Sequence, residues 1–254
     1  MQLTGNQFSN NTAVFGNDLS TLPDFPAEIR APQGTLYGVS SFQMQFGSRE
    51  IYTPGDDLDV LVAMNPAALI TNIKDVLVGG LLIIDTDAFT DKNMARAGYS
   101  SNPIEDGSLD AYRVIPIAVT KQVLEAVKPF GLSHKFAVRC KNMWTLGLVM
   151  WLFDRDRSIT VGNLEKKFAN KPDIAQANIA ALNAVHAYGE TVELPSGAEA
   201  YVVPRADVQP GTYRAVTGTE AVAWGLVAGA KKAGLDLFLG SYPITPASAL
   251  LHTL

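Results

Sequence analysis

DVLVAM (residues 59–64), NPAALITNIKDVL (65–77), Gly79 and Gly80, and LLIIDTD (81–87) together read as strand, helix, turn and strand, and this succession decides the fold class. Both strands are continuous apolar runs rather than alternating ones. That is the pattern of strands covered on both faces in a parallel sheet. Asn65 and Pro66 supply a cap and a proline for the first helical turn. A third apolar run, Val114 to Val119, is followed by a helical stretch from Thr120 to Lys128. The expectation is an α/β fold with a mostly parallel sheet flanked by helices.

Further along, Lys141 to Phe153 (KNMWTLGLVMWLF) is apolar nearly all round, as a helix packed inside the protein would be. Trp144 and Trp151 are two turns apart on one face, which suits core packing better than a cofactor platform. Helices follow over 163–169 and 172–188, with Gly189 placed to end the second. From Thr191 to Gly211 periodicity fails among prolines and glycines, marking a linker. Beyond it, Thr217 and Glu220 form a T-x-x-E capping box for a helix ending at Gly234. Leu235 to Leu239 reads as a strand leading to a helix with Pro246 in its first turn and Thr245 as its cap. Such a helix start offers unpaired N–H groups to a carboxylate, although the same residues are also explained by capping alone.

The composition narrows the function. With 254 residues, 47% of them hydrophobic, the chain can bury a real core. Its net charge of −5, without any cluster of lysines and arginines, argues against a nucleic-acid surface. The longest apolar stretch, 221–230, is too short to span a bilayer, and the N-terminal residues lack a secretory pattern. A single cysteine, Cys140, suits the reducing cytoplasm, so the protein is placed there.

Candidate polar groups each carry two readings. Asp85 and Asp87 follow a buried strand at the carboxyl end where α/β sheets bind ligands, so they suit a ribose hydroxyl, a metal, or simply a capped turn. Cys140 lies between Arg139 and Lys141, which would lower its pKa, but no base accompanies it. Asp24 to Gly34 is stiffened by prolines around Arg30, which presents a guanidinium to an anion or to solvent. Histidines 134, 186 and 252 form neither a zinc spacing nor a triad.

Four motifs in series carry a resemblance: DFPAEIRAP (24–32), TPGDDLDVLVAMNPAAL (53–69), TGTEAVAWG (217–225) and YPITP (242–246). The chain resembles, over its whole length, the fused γ-α subunit of 2-oxoacid:ferredoxin oxidoreductases. That resemblance implies oxidative decarboxylation of a 2-oxoacid to its acyl-coenzyme A thioester, with electrons passing to ferredoxin. It implies thiamine diphosphate, Mg²⁺ and iron–sulfur clusters held chiefly by a separate β subunit, since one cysteine cannot ligate a cluster. It implies a γ-type domain over 1–190, a linker over 191–211, and the beginning of a thiamine-type α domain over 212–254. Thr245 and Tyr242 would contact the substrate, and Arg30 a phosphate of coenzyme A.

In similar proteins a strand and a glycine-rich turn precede the segment matching MQLTGNQF, and a longer domain follows YPITP. A piece of an enzyme is therefore expected, inactive alone and poorly soluble, with Leu3, Phe8 and Phe15 short of packing partners. Two other classes stay open: a non-catalytic α/β interaction module, and a nucleotide binder using Asp85 and Asp87.

Overall fold

The computed structural model describes residues 2–24, 36, 38–191, 201–214, 216–242 and 248–254. They divide into two units, one from 1–24 and 36–208, the other from 209–254.

In the first unit, α1 (Gln2–Phe15) leads into β1 (Asp18–Asp24), which pairs antiparallel with β2 (Ser41–Gly47), Leu19 opposite Phe46. The parallel sheet follows: β3 (Leu58–Ala63), α2 (Pro66–Asn72), β4 (Val76–Asp85), α3 (Asp91–Ala97) and β5 (Arg113–Ile117), in spatial order β3-β4-β5. Val60 stands opposite Leu81, and Ile83 opposite Ile115. Five helices then complete the unit: α4 (Val119–Val127), α5 (His134–Arg139), α6 (Lys141–Leu152), α7 (Ser158–Lys167) and α8 (Pro172–Thr191).

Apolar side chains of β4 alternate between two cores. Leu81 and Ile83 join Ile115, Ile117, Val123, Trp144, Leu148 and Leu182 on one face. Leu82 and Ile84 join Leu69, Phe89 and Met94 on the other. This is why the strand reads as an unbroken apolar run. The helix after β3 is shorter than its sequence pattern, ending at Asn72 before one 3-10 turn. Val76 already pairs with Leu58, so Gly79 and Gly80 lie within β4 rather than in a turn.

Between α6 and α8 the backbones approach closely. A Cβ on Gly147 would stand 2.3 Å from the Leu182 carbonyl oxygen. Gly189, expected to end a helix, is instead interior to α8, because a Cβ there would meet the Trp151 ring at 2.6 Å. Trp144 is 1% exposed and meets Tyr188 edge to face, centroids 5.4 Å apart. The tryptophan stripe is core packing.

Helix α1 has no apolar face to announce it, and its glycine, asparagines and threonines are weak helix formers. Tertiary packing holds it: Phe8 lies against Phe46 and Phe153, with centroids 5.6 and 6.1 Å away. Asn11 donates to Thr160 Oγ1 at 2.7 Å. Phe8 is therefore buried, and Phe15 is covered by the Arg155 guanidinium at 4.1 Å, contrary to the expectation that both lack partners. The Leu3 side chain lies outside the described residues.

Residues 201–208 form no regular element but run along this unit. Tyr201 N–H donates to Leu152 O at 2.7 Å, and its ring stacks on Phe153. Ala206 N–H donates to Gly16 O.

In the second unit α9 (Gly218–Ala233) has the expected capping box, Thr217 Oγ1 accepting from Glu220 N–H while the Glu220 carboxylate accepts from Thr217 N–H. Gly234 ends it in the left-handed conformation, φ 67°. A short α10 (Ser248–Thr253) follows. The strand expected over 235–239 does not form, because a strand needs a hydrogen-bonded neighbour and no described segment pairs with it. Phe238 is 92% exposed.

Candidate functional site

A cleft of about 710 Å³ lies in the first unit between β2 and β3. Its floor is built by α6 and α1, through Leu146, Val149, Phe153 and Phe8, so the long apolar stretch of α6 supplies both core and cleft. At one end Arg113 donates to Gly79 O at 2.9 Å and to the Tyr201 hydroxyl at 2.5 Å. The other end, beyond the carboxyl terminus of β3, carries Met64, Asn142 and Thr145, whose hydroxyl donates to Met64 Sδ at 3.5 Å. Sequence reading missed β1 and β2; the available signal was the alternation of Phe42, Met44 and Phe46 with Gln43 and Gln45.

Asp85 and Asp87 have a different task. The Asp85 side chain is fully buried; one oxygen accepts from Val119 N–H at 3.2 Å and the other pairs with the Lys141 ammonium. Asp87 accepts from Lys121 N–H at 3.0 Å. Both carboxylates thus occupy the N-terminus of α4, where they satisfy unpaired N–H groups and face the positive end of the helix dipole. The ribose or metal role suggested by their position gives way to capping.

Cys140 is 2% exposed, and burial pushes its thiol above the ordinary range. Among the described residues no group of three His, Cys, Asp or Glu side chains is arranged to hold a metal, and no helix is long and apolar enough to cross a membrane. The lone buried thiol does not fit an iron–sulfur cluster, which needs several thiolates.

Of the expected site residues, Tyr242 is 72% exposed on the second unit. Thr245 and Arg30 lie outside the described residues. Fold and site together define an α/β domain with a cleft that offers apolar surface and hydrogen-bonding groups.

The chain belongs to the pyruvate ferredoxin/flavodoxin oxidoreductase family, whose model matches residues 1–188. It is 50% identical over all 254 residues to the 2-oxoglutarate oxidoreductase subunit KorA of Mycobacterium tuberculosis, covering 39% of that protein. To the α subunit of 2-oxoacid:ferredoxin oxidoreductase 1 of Aeropyrum pernix it is 29% identical over 136 residues, 54% of this chain and 20% of that one. The fold is shared with the 2-oxoglutarate:ferredoxin oxidoreductase of Magnetococcus marinus, solved with 2-oxoglutarate, coenzyme A and succinyl-CoA bound: TM-score 0.67, 24% identity, 98% of this chain and 38% of that one. The chain spans about two fifths of the length of the first of these relatives.

Proposed function

We propose that this chain is part of a 2-oxoacid:ferredoxin oxidoreductase acting on 2-oxoglutarate. The reaction takes a 2-oxoacid and coenzyme A to the acyl-coenzyme A and carbon dioxide, and two electrons go to ferredoxin. The observation that carries this reading is the 50% identity over the full chain to a 2-oxoglutarate oxidoreductase subunit. The fold shared with an enzyme solved with 2-oxoglutarate and coenzyme A is consistent with it.

Residues 1–190 serve as the γ-type domain, 191–211 as the linker and 212–254 as the beginning of the α domain. Thiamine diphosphate with Mg²⁺, held mainly by a β subunit that also carries the iron–sulfur cluster, supplies the electron sink for decarboxylation. On this chain, the Thr245 hydroxyl holds the substrate carboxylate with Tyr242 beside it. Arg30 meets a phosphate of coenzyme A, the bidentate geometry for which a guanidinium is suited. The buried single thiol supports assigning the cluster to the partner.

The test is coexpression of the full-length polypeptide with its β subunit and assay of dye reduction. Activity requiring both 2-oxoglutarate and coenzyme A is expected, with pyruvate and branched-chain 2-oxoacids far slower. Thr245→Ala is expected to raise KM for 2-oxoglutarate about tenfold, and Arg30→Ala to raise KM for coenzyme A alone by a similar factor. Unchanged kinetics in either variant removes that residue from its site, and equal rates with pyruvate overturn the substrate.

A further inference from the structure

Residues 201–208 cross the first unit without forming a strand or helix, and Val202, Pro204, Arg205, Asp207 and Val208 among them are exposed. Two anchors hold the segment. At one, Tyr201 N–H donates to Leu152 O at 2.7 Å, its ring stacks on Phe153 with centroids 5.3 Å apart, and its hydroxyl accepts from Arg113 at 2.5 Å. At the other, Ala206 N–H donates to Gly16 O at 2.8 Å, while the Asn17 side-chain amide donates to Pro204 O at 2.5 Å and to Gly47 O at 3.2 Å. Between the anchors Val202 is 81% exposed. A segment with few buried contacts and an exposed backbone lies at the low-stability end of a fold, where it opens without global unfolding.

Both anchors stand on one short stretch at the end of α6. Leu152 and Phe153 hold Tyr201, and Arg155 donates to the Asn17 side-chain oxygen at 2.6 Å. Arg155 is 5% exposed, its Nε and Nη1 have no hydrogen-bond partner, and no carboxylate pairs with it among the described residues. Its guanidinium lies 4.1 Å from the centre of the Phe15 ring, and that of Arg205, carried by the segment, lies 5.7 Å from the same centre. The two cations are thus within about 10 Å of one another. Docking the segment brings a like charge to a buried cation that is already short of hydrogen bonds, and this cost opposes the contacts at the anchors.

We propose that residues 201–208 are a strap that docks on the first unit and releases from it as one piece, with Asn17 as the latch. Because Leu152, Phe153 and Arg155 share one stretch of backbone, loosening either anchor loosens the other. Release returns eight residues to the free chain ahead of α9, and docking takes them up again. The inference rests on the first unit alone and does not depend on the proposed reaction.

The test is hydrogen exchange, resolved to single amides, in the full-length polypeptide. The Tyr201 and Ala206 amides should exchange about a hundredfold more slowly than in a free peptide and about a hundredfold faster than those of Leu82 and Ile83 in β4, with the same protection at both. Tyr201→Ala should speed exchange at Ala206 about tenfold, and Asn17→Ala should do the same at Tyr201, with the β4 amides unchanged in both variants. If Asn17→Ala fails to fold, Tyr201→Ala decides the coupling. Acceleration confined to the substituted anchor overturns the proposal, since two independent local contacts would give that. Protection equal to that of β4 overturns it in favour of a segment that opens only when the whole unit unfolds, and free-peptide rates overturn docking itself.

Discussion

Asp85 and Lys141, 56 residues apart in sequence, form an ion pair that ties the end of β4 to the first turn of α6. The two partners are unequally placed, the Asp85 side chain being fully buried while that of Lys141 is 18% exposed.

That inequality orders two substitutions. Lys141→Met strands a buried carboxylate and should cost about 3 kcal/mol, whereas Asp85→Asn leaves a lysine that reaches water and should cost about 1 kcal/mol. Urea denaturation of both variants checks the order, and equal losses would contradict the pair's assigned asymmetry.

Gly147→Ala should destabilise by about 3 kcal/mol, because the atom in its way is the Leu182 carbonyl oxygen, which no rotamer change can clear. Gly225 in α9 faces open space, so Gly225→Ala should instead gain about 0.5–1 kcal/mol of helix propensity. Thermal melts of the two variants should shift in opposite directions.

Cys140 should resist thiol reagents in the folded protein, being buried and held as the protonated thiol by that burial. Reaction with a chromogenic disulfide should appear only as the protein unfolds. A fast native reaction would show that α5 and α6 open locally at their junction.

Tyr99, packed against the second core, has its phenol pushed up to about 12, first by burial and then by the charge of Asp106. The folded state holds this proton more tightly than the unfolded chain, so its stabilising contribution is complete below the ordinary value of 10 and is lost as pH climbs through about 12. Urea midpoints measured across that range should fall less steeply in Tyr99→Phe than in the parent.

Much of the fold was legible where its signals are local. The runs 59–64 and 81–85, Pro66 behind Asn65, and the capping box at Thr217 each work within a few residues, and each reappears in the structure. Where an element depends on distant partners, sequence reading failed. Helix α1 lacks propensity and exists through Phe8 and Asn11. The apolar run 235–239 has strand character but no neighbour among the described residues, and stays irregular. Gly189 looked like a helix terminator because glycine usually serves there, yet its missing side chain makes room for Trp151.

The candidate site divides the same way. The motifs of residues 24–32, 53–69, 217–225 and 242–246 were enough to indicate the family, since a motif is a local string and survives without coordinates. By itself, the sequence determined the α/β class and the parallel sheet through its periodicity, and the oxidoreductase family through the resemblance that its motifs carry. Only the tertiary structure decided that Asp85 and Asp87 cap α4 and that Phe8 and Val149 come together in one cleft. Those outcomes depend on which groups meet across tens of residues, and burial and hydrogen-bond satisfaction are settled only when the chain has closed upon itself.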